Sequence, residues 1–356
     1  MSNTKVAVAL SGGLDSAVAA LLLKQAGHDL VGVHMRLGDS GHFDLQAHRA
    51  ENVCRILGIP YHEVNLQRDF ETCVVDYFCR EYQRGRTPNP CVACNQHIKF
   101  GLLLDKALSL GADFLATGHY ARVEHSGSGY RLLKAKDTSR DQSYFLYILT
   151  QEKLARVLFP VGDHTRDDVK QMAKQAGLPA VAKSSHDICF ISQKNYGYFL
   201  SQRFSPTPGD VVDTDGRKLG QHRGIAFYTI GQRHGVGLAS GKPLYVVRIE
   251  PESNRVVLGS VEDLYSQGLT ARNLNWISGK APQEPITVTA KIRYKSKEAE
   301  ATVFPPRGCE SRCNRDETIC DVRFAEPQKA VTPGQAVVFY NGDEVLGGGI
   351  IHQTQK

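Results

Sequence analysis

Two cysteines, Cys91 and Cys94, carry the sharpest chemical signal in the sequence, within the run Thr87-Pro-Asn-Pro-Cys-Val-Ala-Cys-Asn95. Asn89 is a good N-cap and Pro90 suits the first helical position, so a helix is predicted to begin here. A spacing of three residues then places both thiols on one face of that helix. A helix N-terminus favours thiolate, and so do nearby cations. The cations close in sequence are Arg84, Arg86 and Lys99. These thiols are therefore expected to react or to bind metal.

The structural alternative is that this pair forms half of a zinc site. A structural zinc ion needs four ligands, so two more would have to come from elsewhere in the chain. The sequence has no second CxxC. Cys309, Cys313 and Cys320 could supply ligands, but their spacing is not a familiar zinc pattern, and a polar hairpin loop is the favoured interpretation of their segment.

The remaining cysteines divide by context. Cys189, taken alone, is typical of a buried strand, and Cys54, Cys73 and Cys79 fall within predicted helices and are expected to pack. The histidines His28, His34 and His62 lack metal-like partners and are interpreted as structural.

A glycine-rich loop, Ser11-Gly-Gly-Leu-Asp-Ser16, lies between a predicted strand and a predicted helix. Converging backbone N–H groups and the helix N-terminus form a site for phosphate there. Ser11 and Ser16 add hydroxyl groups, and Asp15 could hold a metal ion attached to the phosphates. No Lys-Ser/Thr follows the glycines, so the Walker pattern is absent. A tight turn that uses glycine for its geometry alone is the simpler alternative.

The elements that must position these groups alternate between strand and helix over the first 200 residues. Such alternation predicts a doubly wound, mostly parallel α/β sheet, with ligands at the carboxyl ends of its strands. The predicted strands are 5–10, 30–35, 61–65 and 114–117, and the predicted helices are 17–25, 45–57, 69–82 and 90–110.

The character changes at the linker-like run Ser205-Pro-Thr-Pro-Gly209, after which short strands and Gly-rich turns dominate. Asn341-Gly342 is a strong hairpin signal. We therefore predict three domains: 1–204 for the sheet, 205–266 for a small β-rich connecting domain and 267–356 for a C-terminal β-barrel-like domain.

Composition excludes several classes. The chain has 356 residues, an ordinary hydrophobic fraction of 41% and no apolar run long enough to span a membrane or form a signal peptide. Nine cysteines without a secretory signal indicate a reducing compartment, so a cytoplasmic protein is expected. The net charge of +6 is divided evenly between residues 1–200 and 201–356, and by itself does not indicate nucleic-acid binding.

The glycine loop resembles that of the PP-loop ATP pyrophosphatases, whose signature is SGGxDS. Further runs extend the resemblance, in order along nearly the whole chain, to the tRNA-specific 2-thiouridylases. These runs are TPNPxxxCN at 87–95, IKF at 98–100, TGHY at 117–120, DQSYFL at 141–146, DICFI at 187–191, YTIGQRxG at 228–235, RY at 293–294, TPGQxxVFYNG at 332–342 and LGGGII at 346–351.

The resemblance implies ATP-dependent sulfur transfer to C2 of a wobble uridine that is flipped out of its stack. ATP, with Mg²⁺, would adenylate the C2 oxygen and leave AMP and pyrophosphate. Cys189 would carry a persulfide received from a sulfur-donor protein, and Cys94 would close a disulfide with it as sulfur is released. By matching positions, the ATP pocket would comprise Ala9, Leu10, Ser11, Gly12, Gly13, Leu14, Asp15, Ser16, Met35 and Gly118. The target base would meet Asn89, Pro90 and Cys91, and tRNA would contact His119, Arg140, Asp141, Gln142, Arg293, Tyr294 and Gln335. The run 291–297, with four basic residues, one aromatic and no acid, agrees with an RNA contact.

Cys91 departs from the pattern, since some family members carry Asp there. Three thiols in place of two suggest an alternative, in which Cys91, Cys94 and Cys189 hold an iron–sulfur cluster with one iron open to sulfide. Two other functions are compatible with the loop: a PP-loop ligase acting on a small metabolite, which needs neither Cys94 nor Cys189, and a tRNA- or metal-binding module, which consumes no ATP.

Overall fold

A five-stranded sheet forms the first part of the computed structural model, which describes residues 4–39, 41–127, 129–179, 188–191, 196–236, 242–306 and 318–356. The strands of this part, in chain order, are β1 (Lys5–Ala9), β2 (Asp29–Arg36), β3 (Tyr61–Asn65), β4 (Phe114–Ala116), the hairpin β5 (Ala121–Ser126) and β6 (Gly129–Lys134), and β7 (Val157–Leu158). The sheet has the order β3-β2-β1-β4-β7, and every pair is parallel.

Both faces of this sheet are covered. Along β1, Val6 and Val8 pack in one apolar cluster, and Ala7 and Ala9 pack in another. Successive side chains of a strand point to opposite faces, so each face has its own core. The doubly wound α/β prediction is confirmed.

The helices that cover the sheet and flank it include two long runs with π-helical segments. The first run, 67–83, consists of Gln67–Phe70, the π-helical Glu71–Val75 and Asp76–Gln83. The second, 90–109, consists of Pro90–Ala93, the π-helical Cys94–Leu103 and Leu104–Ser109, and is called the thiol helix below. The other helices are α1 (Leu14–Gln25), α2 (Gly41–Leu57), Gln151–Leu154, Arg166–Gln175 and Tyr196–Ser201, with 3-10 turns at Ser143–Phe145, Ile225–Phe227 and Glu262–Leu264.

The chain continues into two β structures. The connecting sheet has the order β10-β11-β8-β9, formed by β8 (Gly209–Val212), β9 (Lys218–His222), β10 (Tyr245–Glu250) and β11 (Arg255–Gly259). The C-terminal strands are β12 (Tyr265–Trp276), β13 (Ile286–Lys291), β14 (Ala299–Val303), β15 (Cys320–Lys329), β16 (Ala336–Asn341) and β17 (Glu344–Gln355). They run β12-β15-β14-β13-β16-β17, and a further β12–β17 pairing closes them into a six-stranded barrel. The predicted barrel and the hairpin after Asn341 are confirmed.

The β5–β6 hairpin was not predicted. It links the first part of the chain to the C-terminal barrel. Leu133 of β6 pairs with Glu344 of β17, and Leu132 pairs with Val345. The hairpin lies within the first predicted domain, 1–204, yet it extends the sheet of the last. The domain limits near 205 and 267 stay predictions. No helix in the described part of the chain is long and apolar enough to cross a membrane.

Candidate active site

The glycine loop between β1 and α1 is shaped by glycine geometry and by its own serines. Gly12 has a φ of +72°, and a Cβ there would lie 2.6 Å from the Gln46 carbonyl oxygen, so no larger residue fits. The Ser16 hydroxyl accepts from the Ser11 N–H at 3.2 Å and donates to the Gly13 carbonyl at 3.0 Å. Gly13 caps α1 without a side chain. The first N–H groups of α1 are therefore available to an anion.

The residues predicted to bind ATP collect at the carboxyl ends of three adjacent strands. Ala9 ends β1, Met35 is the penultimate residue of β2, and Gly118 follows β4. A Cβ on Gly118 would come within 2.5 Å of the Ser16 nitrogen, so the segment after β4 lies directly against the loop. Parallel sheets bind ligands at this edge. The ATP contacts of Ala9–Ser16, Met35 and Gly118 stay a prediction, on residues that the fold brings together.

The thiol helix begins where the sequence predicts. Asn89 Oδ1 accepts hydrogen bonds from the N–H groups of Cys91, at 3.2 Å, and Val92, at 3.3 Å. Pro90 occupies the first helical position. Cys91 follows and is exposed as a whole residue, although surrounding atoms desolvate its sulfur, and Cys94 is buried one turn further on.

Cys189 interacts electrostatically with these two thiols although it is far away in the chain. Burial raises the pKa of its thiol to about 12, and the charges of Cys94 and then of Cys91 raise it further, so the three groups interact electrostatically. Lys99 lowers the pKa of each of the three thiols. Cys189 as a whole residue is exposed, although surrounding atoms desolvate its sulfur, and it lies in a turn after Ile188, so its interpretation as a buried strand residue is wrong.

The prediction that Cys91 and Cys94 favour the thiolate form is also wrong in this conformation. Burial raises the pKa of Cys91, and it raises the pKa of Cys94 to about 11, against the smaller lowering effect of Lys99. The two arginines are engaged elsewhere: Arg84 and Arg86 both pair with the buried Glu81, at 3.2 Å and 3.6 Å. Desolvation of the charged form is the largest effect at both sulfurs.

Lys99 connects the thiols to a buried histidine. Lys99 Nζ lies 3.4 Å from His119 Nε2, and His119 Nδ1 lies 2.7 Å from Thr117 Oγ1. An ammonium group only donates, so Nε2 accepts and Nδ1 carries the proton toward Thr117. Burial, and then the charge of Lys99, holds the pKa of His119 well below its usual value. His119 is therefore neutral at physiological pH.

Besides His119, two further predicted tRNA residues lie beside the thiol helix. Gln335 Nε2 donates to the carbonyl oxygens of Thr87, at 3.0 Å, and Pro88, at 3.4 Å, so the barrel holds the loop that leads into the helix. The Tyr294 ring packs on Phe145 with centroids 4.4 Å apart. Its phenol also interacts electrostatically with Cys91.

The other predicted tRNA residues have internal partners. Asp141 is buried; its carboxylate accepts from Ala135 N at 3.0 Å and from the Ser143 hydroxyl at 2.8 Å, and burial raises its pKa despite these bonds. Gln142 Oε1 accepts from Tyr120 N at 2.9 Å. The structure thus gives these two side chains a role in shaping the loop, and their tRNA contacts stay predictions. Arg293 is exposed and donates to the carbonyls of residues 329 and 330, and Arg140 follows the turn at Asp137.

The described residues contain no group of three or more His, Cys, Asp or Glu side chains placed to hold a metal ion. The iron–sulfur alternative on Cys91, Cys94 and Cys189 stays a prediction. Cys320, expected in a polar loop, is instead buried in β15, where its thiol donates to the Phe304 carbonyl at 3.2 Å. Cys309 and Cys313 lie outside the described residues. The packing predicted for Cys54, Cys73 and Cys79 is confirmed.

Two residues of the site were missed by sequence reasoning. Arg166 forms an ion pair with Asp15 of the glycine loop, and the Tyr120 hydroxyl donates to the same carboxylate at 2.9 Å. Tyr120 lies in the TGHY run, and a capping box of Thr165 and Asp168 marks the helix that begins at Arg166. Only the helix start could have been read from the sequence, because the pairing spans 151 positions.

The fold and the site define a class of protein: a HUP-type α/β nucleotide-binding domain joined to a small β domain and a closed barrel. Three families match in this order: "tRNA methyl transferase HUP domain" over residues 4–193, "tRNA methyl transferase PRC-barrel domain" over 197–260 and "Aminomethyltransferase beta-barrel domain" over 266–351.

Near full-length relatives are more specific. The chain is 47% identical to the tRNA-specific 2-thiouridylase MnmA 1 of Syntrophus aciditrophicus, over 98% of this chain and 93% of the relative. It is 46% identical to the tRNA-specific 2-thiouridylase MnmA of Acetivibrio thermocellus, over 99% of this chain and 100% of the relative. The chain belongs to the tRNA-specific 2-thiouridylase family. A solved U34-tRNA thiolase of Methanococcus maripaludis is 23% identical, and the match covers 56% of this chain and 64% of that one at a TM-score of 0.37.

Proposed function

We propose that this protein uses ATP to replace the C2 oxygen of the wobble uridine of tRNA by sulfur. One observation carries the proposal: a single short segment touches both reaction centres. Gly118 lies against the Ser16 backbone of the glycine loop, and the next residue, His119, contacts Lys99, whose charge acts on the thiols. Phosphate chemistry and sulfur chemistry are thus adjacent, as a transfer through an adenylated intermediate requires.

The reaction proceeds in three steps. The C2 oxygen attacks the α-phosphorus of ATP and pyrophosphate leaves, so the oxygen departs later as AMP. The terminal sulfur of a persulfide on Cys189 attacks C2, and AMP leaves with the electrons of the C–O bond. The Cys94 thiolate then attacks the Cys189 sulfur; a Cys94–Cys189 disulfide forms and the C2 thiocarbonyl is released. An external thiol reductant returns the disulfide to two thiols.

The environment of the thiols supports this order of events. Burial keeps Cys94 protonated, with a pKa of about 11, so it does not attack before substrate binds. Lys99 supplies the positive charge that stabilises the thiolate when its proton leaves. Asp15 would hold Mg²⁺, whose chemistry is to bridge phosphate oxygens and neutralise their charge.

The tRNA side of the site is formed by the start of the thiol helix and by the barrel. A flipped uridine would meet Asn89, Pro90 and Cys91. The exposed Arg293 and the basic run around it suit the phosphate backbone. His119, Arg140, Asp141, Gln142, Tyr294 and Gln335 complete the proposed contacts. The sulfur would come from a donor protein, and the need for a thiol reductant suits a cytoplasmic enzyme.

Incubation with ATP, magnesium, a persulfide donor and unmodified tRNA tests the proposal, by nucleoside mass spectrometry for 2-thiouridine and by chromatography for AMP. Cys94→Ser and Cys189→Ser should each abolish 2-thiouridine, whereas Cys73→Ser, a change in a half-buried packing thiol, should not. Pyrophosphate release without 2-thiouridine would exclude the proposal.

The same samples separate the alternatives. An iron–sulfur mechanism requires iron and visible absorption after anaerobic purification, so a colourless, iron-free and fully active protein excludes it. A small-metabolite ligase would keep its ATP consumption without tRNA and without Cys94 and Cys189.

A further inference from the structure

Arg166 is nearly buried, with 9% of its surface exposed, and its guanidinium is ion-paired with the Asp15 carboxylate. The Tyr120 hydroxyl donates to the same carboxylate oxygen at 2.9 Å and also hydrogen-bonds Arg166. Asp15 is the acid of the glycine loop, and its side chain is only about one third exposed, at 35%. The group expected to hold a metal is therefore engaged by a cation of the protein itself.

A rigid frame aims Arg166 at this carboxylate. Its own N–H donates to Asp137 Oδ2 at 3.0 Å, and the capping box fixes the start of the Arg166–Gln175 helix. Further along that helix, Val169 and Ala173 pack in the same core cluster as residues of α1. The side chain is held against the first turn of α1 by the packing of two helices, unlike a mobile surface arginine.

Charge balance defines what this arrangement can do. A carboxylate that neutralises a buried guanidinium is a poor ligand for a free divalent cation, because the guanidinium would lose its partner. A triphosphate removes that obstacle, since guanidinium groups bind phosphate oxygens as well as carboxylate oxygens. Nucleotide can thus supply Arg166 with a new partner and release Asp15 at the same time.

We propose that Arg166 is a nucleotide-binding residue that exchanges partners. Without nucleotide it pairs with Asp15; with Mg-ATP it pairs with phosphate oxygens, and Asp15 turns to the metal. Tyr120 keeps the Asp15 carboxylate oriented in both states. The exchange makes metal binding depend on nucleotide binding, so the metal alone binds weakly. This inference rests on the proposed function only in taking ATP as the substrate.

Two binding measurements on Arg166→Gln test the exchange, because they are expected to change in opposite directions. Affinity for Mn²⁺ alone, followed by electron paramagnetic resonance, should increase about tenfold as Asp15 is freed. Affinity for Mg-ATP, measured by equilibrium dialysis, should decrease about 10- to 100-fold with the loss of a charge-assisted contact. Loss of both affinities, or no change in either, would overturn the inference.

Controls separate the exchange from a fault in folding. Arg166→Lys keeps the charge and should keep the affinity for Mn²⁺ alone near that of the wild type. Arg156 is an exposed arginine at the opposite end of the sheet, where its side chain donates to the Asp113 carbonyl. The variant Arg156→Gln should alter neither affinity. Neither assay uses tRNA or sulfur. If the two affinities change in opposite directions but the protein does not thiolate tRNA, the proposed function is refuted and this inference stands.

Discussion

Lys99 carries a charge that acts on all three thiols, and its removal gives a quantitative prediction. A thiol with a pKa of about 11, as for Cys94, is ionised to about one part in a thousand at pH 8. A neighbouring cation typically shifts such a pKa by about one unit. Lys99→Met should therefore raise the pKa further and reduce the Cys94 thiolate about tenfold at pH 8.

Alkylation by iodoacetamide between pH 7 and 10, with peptide mass spectrometry to resolve each cysteine, measures this change. The rate at Cys94 should rise with pH in both proteins, because ionisation occurs near or above the top of this range, and should be about tenfold lower in the variant at every pH. The thiolation rate should fall by a similar factor if thiolate formation limits the reaction.

Lys99→Arg is the matched control, since it keeps the charge and should retain most of the reactivity. Melting temperatures are needed beside it, because Lys99→Met also leaves His119 Nε2 without its donor. Equal alkylation rates in the wild type and in a folded Lys99→Met variant would refute the electrostatic role of Lys99.

Three further predictions concern the loop, the barrel and the core. Gly118→Ala should weaken ATP binding by more than tenfold, because its Cβ would meet the loop backbone at 2.5 Å, whereas Gly127→Ala, with nothing within 4 Å, should not; equilibrium dialysis compares them. Gln335→Ala should slow thiolation but leave ATP affinity unchanged, with a loss of about 1 kcal/mol in the free energy of unfolding for its two hydrogen bonds to the loop. Cys320→Ala should cost about 1–2 kcal/mol at pH 7 in urea unfolding. Burial raises the pKa of Cys320 from 9.0 to about 12. The protonated thiol therefore contributes fully to the free energy of unfolding below pH 9, and this contribution is lost as the pH rises toward 12. The variant has no thiol at this position, so its stability should not show this alkaline decrease.

Each of these has a contrary outcome. An ATP affinity that is equal in Gly118→Ala and Gly127→Ala would show that the close approach at the loop does not matter. A drop in ATP affinity for Gln335→Ala would mean that the barrel acts on the glycine loop as well. Identical alkaline profiles for Cys320→Ala and the wild type would contradict the burial effect.

Local signals predicted the fold well where they were strong. Asn89 and Pro90 marked the start of the thiol helix, because capping depends on a few consecutive residues. Val6 and Val8, alternating with Ala7 and Ala9, gave a strand that is apolar on both faces, which is typical of a parallel sheet.

Long-range relations were not readable in the same way. The pairing of Arg166 with Asp15 and of Gln335 with Thr87 depends on tertiary contacts that no local pattern encodes. The thiolate prediction failed for a related reason: sequence shows neighbouring cations, but not the buried Glu81 that binds Arg84 and Arg86, nor the desolvation of Cys94.

The hairpin formed by β5 and β6 has a consequence for how this protein can be divided. Leu132 and Leu133 of β6 are buried, Leu132 packs in the same core cluster as Val345 of β17, and β6 hydrogen-bonds to the start of β17. A gene cut after residue 265 would leave β6 as an open strand edge with apolar side chains, which is a template for aggregation. We therefore expect the isolated N-terminal part to aggregate, and expect it to need the C-terminal barrel expressed with it.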